Sequence, residues 1–111
     1  LEGKDSVAVE HLEKAMTIKP CAGYGYHLGL ALASLNRLDD AIEAFEAGLA
    51  CDSLSSFCVP IYFRLGRIYE TRGETEKMRA AYQRILALDR GEGYIEDYAR
   101  RALEALSSSK Q

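Results

Sequence analysis

Two histidines and three cysteines are the side chains best suited to chemistry in this 111-residue sequence. Nucleophilic catalysis needs a serine or cysteine beside a histidine base, and neither His11 nor His27 has such a residue at a motif spacing. Carboxylates such as Glu43 and Glu46 are scattered along the polar faces of predicted helices, where we expect them to be solvated. The sequence therefore predicts no catalytic residue and no cofactor, and we expect that the protein is not an enzyme.

The cysteines leave two interpretations open. Cys21 lies in one predicted turn, whereas Cys51 and Cys58 flank a longer turn, CDSLSSFC. In an oxidising compartment a Cys51–Cys58 disulfide would close a short loop and contribute about 2.5 kcal/mol on the chain-entropy estimate. In the cytoplasm all three would stay reduced as small apolar turn residues. The sequence therefore leaves the compartment open: it is cytoplasmic, or periplasmic or otherwise extracytoplasmic if Cys51 and Cys58 are bridged. No fourth ligand stands at a standard spacing, so we expect no metal site.

Charge and hydropathy argue against two further classes of protein, those that bind nucleic acid and those that span a membrane. The net charge is −3, whereas a domain that binds phosphate backbones usually carries a basic excess, so we expect no nucleic-acid partner. The longest nearly apolar stretch, Leu28 to Leu35, is much shorter than the ~20 residues of a membrane-spanning helix. No signal peptide is visible and the first residue is Leu1, so we expect a processed product or an excised piece of a longer protein.

An 18-residue pattern occurs twice, as LGLALASLNRLDDAIEAF from Leu28 and as LGRIYETRGETEKMRAAY from Leu65. Equivalent residues lie 37 positions apart, and the second half of the pattern also occurs upstream at an offset of 33. The longer connection 52–60 explains the difference between the offsets, because insertions into turns cost little. Recurrence with this period predicts a repeat architecture.

Each repeat has the apolar spacing of two helices, with residues at i, i+3, i+4 and i+7. The predicted helices span residues 5–18, 22–35, 39–51, 58–71, 75–88 and 94–106. Asn36 and Gly73 stand between paired helices, where a left-handed turn favours Asn or Gly. Gly29 and Gly66 follow core leucines and are expected to let the helices of a pair approach closely. The closing aromatics, Phe45 and Tyr82, are expected to fill the gap between pairs.

At these residues the sequence resembles the tetratricopeptide repeat family. In the unit 22–55 the matching residues are Leu28, Gly29, Leu32, Ala41, Phe45 and Gly48. In the unit 59–92 they are Tyr62, Leu65, Gly66, Tyr69, Gly73, Met78, Tyr82 and Ile85. The departures are Gly25 in the place of a tryptophan, Met78 in the place of an alanine, and Ser53 and Arg90 where proline is usual.

The resemblance implies an all-α fold, a right-handed α-solenoid of stacked antiparallel helix pairs within a single domain, 1–106. A leading half unit, two full units and a capping helix would make up this domain, at residues 3–21, 22–55, 59–92 and 94–106. Residues 107–111 are predicted to form a disordered tail. Because the first helix matches only the second half of a unit, we expect the parent protein to continue upstream and this edge to be adhesive when isolated.

The resemblance also implies a scaffold that binds a peptide or partner segment in a concave groove, lined by the first helix of each pair. The predicted groove residues are Tyr26, Leu30, Ala33, Phe63, Arg64, Arg67, Glu70 and Arg101. An apolar segment would contact Tyr26, Leu30 and Phe63, while Arg64 and Arg67 would hold a carboxylate. Alternatively, Leu30 and Ala33 belong to the core and Arg67 forms a solvated pair with Glu70. The carboxylate clamp of chaperone-binding relatives is not expected, because Tyr26 and Leu30 occupy its positions.

Two further functions remain open at this stage. The groove floor could close around a lipid or another apolar small molecule, which would make the protein a carrier. The N-terminal edge, with Val9 and Leu12, could instead dock on a second copy of the chain and form a homo-oligomer.

Overall fold

The computed structural model describes residues 2–52, 55–88 and 93–109, and within these ranges the regular structure is entirely α-helical. The helices are α1 (Glu2–Ile18), α2 (Ala22–Ser34), α3 (Leu38–Cys51), α4 (Cys58–Arg72), α5 (Thr75–Leu88) and α6 (Tyr94–Ser109). Each coincides with a predicted helix to within three residues at either end, so the all-α class is confirmed.

The helix α6 is longer at its C-terminal end than the sequence predicted. It continues through Ser109, so residues 107–109 of the predicted disordered tail are helical. Serine is only a moderately poor helix former, which is compatible with one more turn after a strongly amphipathic stretch. Lys110 and Gln111, the rest of that tail, lie outside the described residues, as do the family-pattern departures Ser53 and Arg90.

Compact packing divides the chain into two units, Leu1–Ile61 and Tyr62–Gln111. The first unit contains α1, α2, α3 and the beginning of α4. The second contains the rest of α4 together with α5 and α6. Each candidate site below is therefore described within one unit.

The turns inside the two helix pairs have the same geometry. Asn36 has φ of 62° and Gly73 has φ of 74°, so both adopt the left-handed conformation that the sequence predicted. After each, a backbone N–H bonds back across the helix end. These bonds join Arg37 N to Leu32 O and Glu74 N to Tyr69 O, each at 2.9 Å. The repeat of 37 residues is thus a repeat of helix termination as well as of apolar spacing.

Close approach of α2 and α3 depends on glycines. A Cβ atom added at Gly29 would lie within 3.0 Å of the Phe45 ring, and one added at Gly25 would lie 2.6 Å from the Gly48 Cα. Contacts of 25 with 48 and of 29 with 45 also show that the two helices are antiparallel. Gly25, which departs from the family pattern at the tryptophan position, therefore meets a second glycine and lets two backbones touch.

The same contact recurs in the second unit, where a Cβ atom at Gly66 would lie within 3.0 Å of the Tyr82 ring. Both closing aromatics are fully buried. We expected these rings to fill the gap between helix pairs. The structure shows that each ring also packs on the glycine of its own pair. Tyr82 also contacts the Tyr98 ring of α6, at 5.9 Å between centroids.

Candidate functional site

An arginine lies over two aromatic rings on the surface that α4 and α6 share in the second unit. The rings of Phe63 and Tyr98 meet edge to face with centroids 5.4 Å apart. The Arg67 guanidinium carbon lies 5.3 Å from the Tyr98 centroid and 6.0 Å from the Phe63 centroid. We call these three residues the Arg67 cluster. Because Arg67 itself is exposed, its planar donors are accessible while the rings restrict its motion.

Glu70 joins all three helices of this unit through two phenolic hydroxyls. The hydroxyls of Tyr82 on α5 and Tyr98 on α6 both donate to the Glu70 Oε1, at 3.1 and 3.0 Å. Burial raises the pKa of Tyr82 far above its ordinary value, and the charge and hydrogen bond of Glu70 raise it further. Burial and the hydrogen bond to Glu70 also raise the pKa of Tyr98. The two hydroxyls therefore stay protonated and hold the carboxylate in place.

The other predicted groove residues of this unit differ in their surroundings. Phe63 is only 6% exposed, so its ring belongs to the core as much as to a binding surface. Arg101 pairs with Asp97 on the same helix, with 3.2 Å between Nε and Oδ2. Arg64 is exposed. The structure therefore brings Phe63, Arg67 and Glu70 together, and it adds two tyrosines that the sequence had not assigned to the site.

In the first unit the predicted residues Tyr26, Leu30 and Ala33 are all partly buried on α2. The Tyr26 ring lies 5.2 Å from that of His27 and 5.6 Å from that of Phe57, measured between centroids. His27 is thus an exposed member of an aromatic group. A groove that joins these residues to those of the second unit stays a prediction.

A cavity of about 300 Å³ opens in the second unit beside the turn between α4 and α5. Its lining is mainly apolar, and Glu70 is its charged residue. The remaining lining residues are Tyr69, Gly73, Thr75, Met78, Ala102, Ala105 and Leu106. We call this space the turn cavity.

One of the two residues suggested above for self-association at the N-terminal edge is buried in the structure. Val9 is only 4% exposed and belongs to the core, whereas Val7 and Ile18 of α1 are 51% and 83% exposed. Leu12 is partly buried. Homo-oligomerisation through this edge stays a prediction, and substitutions at Val7 or Ile18 would test it without disturbing the core.

The three cysteines are thiols in this structure, and each makes a hydrogen bond to nearby backbone. The Cys21 sulfur caps α2 by accepting a hydrogen bond from the Tyr24 backbone N–H at 3.4 Å. The Cys51 thiol donates to the carbonyl oxygen of Ala47, and the Cys58 thiol donates to that of Asp52. The Cys51–Cys58 bridge stays a prediction. Among the described residues, His, Cys, Asp and Glu side chains form no group of three or more that could hold a metal ion.

Comparison with known proteins identifies the repeat. A model of the Tetratricopeptide repeat family matches residues 25–52 and 59–92, which is more than half of the chain. The protein belongs to the tetratricopeptide repeat family. Tetratricopeptide repeats generally mediate protein–protein interaction. A search of curated proteins gives no match.

The described helices of this tetratricopeptide repeat protein include none that is both long and apolar enough to span a membrane. Its site contains two residues that sequence reasoning missed, Tyr82 and Tyr98. The sequence predicts only a repeat aromatic at Tyr82 and only part of the apolar stripe of the capping helix at Tyr98. A signal was present for Tyr98, because it lies one helical turn before the predicted groove residue Arg101.

Proposed function

We propose that this protein is a non-catalytic scaffold that binds a segment of a partner protein along the first helices of its repeats. The observation that carries the proposal is the Arg67 cluster, in which an exposed guanidinium lies over the rings of Phe63 and Tyr98. Arginine and large aromatic residues are the side chains most often found at energetic hot spots of interfaces.

The chemistry of the cluster favours an acidic group on the partner. A guanidinium binds a carboxylate through two parallel N–H bonds, and stacking on aromatic rings reduces the side-chain entropy that binding would otherwise cost. The partly buried Tyr98 ring beside the guanidinium would contact apolar side chains of the same segment. A partner segment that combines apolar residues with an aspartate or glutamate fits these features.

Substitution of Arg67 tests the proposal. The wild type, immobilised, identifies a binding protein in extracts, and peptide fragments of that protein then locate the bound segment by fluorescence anisotropy. We expect Arg67→Ala to lower the affinity for this segment by about tenfold or more, the usual cost of losing an arginine hot spot. The loss should shrink when the acidic residue of the peptide is replaced by its amide.

Arg84 provides a matched control, since its guanidinium also lies over an aromatic ring, 5.7 Å from the Tyr62 centroid, but on α5. Arg84→Ala changes the net charge equally and should leave affinity within about twofold. Equal effects of the two variants would mean that only overall charge matters and would contradict the proposal. A stoichiometric lipid released by solvent extraction would instead favour a carrier.

A further inference from the structure

The turn cavity combines an apolar wall with a fixed negative charge. Met78, Ala102, Ala105 and Leu106 supply aliphatic surface, and Glu70 is the charged residue of the lining. Both tyrosine hydroxyls bond to the same carboxylate oxygen, Oε1. The carboxylate is thus oriented by its neighbours while its second oxygen, Oε2, takes part in neither of these bonds.

We propose that the turn cavity accepts a lysine side chain of the partner protein, with the aliphatic stem against α5 and α6 and the ammonium group at Glu70. This inference deepens the proposed function and rests on it for the identity of the occupant. A long amphipathic side chain fits, because lysine buries its methylene groups along apolar surface and keeps its charge at a polar edge.

The size of the cavity supports a side chain over a larger ligand. Its volume of about 300 Å³ lies at the lower limit of sites that hold small molecules. The charge supports lysine over an aliphatic residue such as leucine. Two nearby cations, Arg72 on α4 and Lys77 on α5, both pair with Glu74, at 3.5 Å each. Glu70 instead interacts with neutral hydroxyls.

Arg67 is the competing cation, because it lies one helical turn before Glu70 and near the same tyrosines. Its positive charge should oppose a second ammonium group at this carboxylate. Arg67→Ala is therefore expected to strengthen binding of a lone amine in the turn cavity. The same substitution is expected to weaken binding of the whole partner segment, because losing a hot-spot arginine costs more than one exposed carboxylate gains. The opposite signs separate the two sites.

The probe is n-butylammonium, which has the length and charge of a lysine side chain, compared with n-butanol and butyrate at matched ionic strength. Amide chemical shifts of the isotopically labelled protein are followed by NMR up to about 100 mM, since a ligand of five heavy atoms is expected to bind in the millimolar range. We expect butylammonium to shift the amides of Gly73, Ala102 and Ala105. Butanol should do so several-fold more weakly, and butyrate should not.

Two variants test the roles of charge and space. Glu70→Gln keeps an oxygen that can accept the tyrosine hydroxyls but removes the charge. It should weaken butylammonium binding by up to about fivefold, the upper end of the effect of an exposed ion pair. Ala105→Leu fills the cavity and should abolish the shifts. Glu104→Gln is the matched control, because Glu104 is an exposed carboxylate of α6 outside the lining. It should leave binding unchanged.

Equal binding of butanol and butylammonium, equal effects of Glu70→Gln and Glu104→Gln, or no saturable shift at the highest concentration would each overturn the inference. Lysine of the partner is then distinguished from a free amine by replacing each lysine of the bound segment with norleucine. One such replacement should lower affinity about fivefold in wild type and not in Glu70→Gln. If butylammonium binds but Arg67→Ala does not change the affinity for the partner segment, the proposed function is refuted and the cavity assignment still holds.

Discussion

Replacement of the α2 glycines by alanine tests whether close approach of α2 and α3 stabilises the first unit. The three glycines of this helix meet different neighbours. An added Cβ at Gly25 would lie 2.6 Å from the Gly48 Cα and 2.9 Å from the Ala44 carbonyl oxygen, whereas one at Gly23 would lie 3.2 Å from the Phe57 ring edge. Backbone atoms can move away only if the helices separate, but a partly buried ring can rotate.

The sign of each effect follows from two opposing contributions. Alanine in a helix is more favourable than glycine by about 1 kcal/mol. Overpacking a tight contact costs about 1–3 kcal/mol. At Gly25 the obstacle is backbone, so the overpacking cost should be at the upper end of this range, and we expect a net loss of up to about 2 kcal/mol in the free energy of unfolding. At Gly23 the overpacking term is small, so we expect a change between zero and a gain of about 1 kcal/mol.

Gly29 should fall between these limits, because its obstacle is the fully buried ring of Phe45. Urea denaturation followed by circular dichroism at 222 nm measures all three variants. A loss of 2 kcal/mol would lower Tm by roughly 8–16 °C in a domain of this size. If Gly25→Ala were as stable as Gly23→Ala, the antiparallel backbone contact would not be the constraint that we infer from the structure.

Two further measurements address the buried hydroxyl of Tyr82 and the cysteines. Above about pH 10 an unfolded tyrosine ionises, whereas burial and Glu70 keep Tyr82 protonated in the folded state, so the free energy of unfolding should fall by up to ~1.4 kcal/mol per pH unit. Denaturation of wild type and Tyr82→Phe at pH 9 to 11 checks this, and an equal slope in both would exclude Tyr82 as its source. If Cys51 and Cys58 form the predicted bridge, thiol titration after mild oxidation should show the loss of two thiols. Urea denaturation should then show a gain of about 2.5 kcal/mol in the free energy of unfolding. The Cys51→Ser variant should then lose none by an intramolecular route.

The sequence alone determined the helices and the turns between them. Helices and turns form through contacts between residues that are close in sequence. The spacing of apolar residues and the recurrence of the pattern after 37 residues are therefore enough to predict them. Asn36 and Gly73 show this most directly, because a left-handed residue at a helix end is identifiable from its type and position. The family assignment followed from the same pattern.

The sequence also located part of the candidate site. Phe63, Arg67 and Glu70 share one face of α4 because they lie three or four residues apart. Their partners could not be assigned in the same way. Tyr82 and Tyr98 reach Glu70 from positions 12 and 28 residues later in the chain.

Only the tertiary structure decided what each face contacts. Whether Phe63 lies in a groove or in the core depends on where α6 packs, and α6 covers it with Tyr98. The turn cavity likewise arises from the separation between α6 and the turn of another helix pair, which no local spacing records. A helical period fixes which residues share a face, but the distance between two helices depends on the side chains of both.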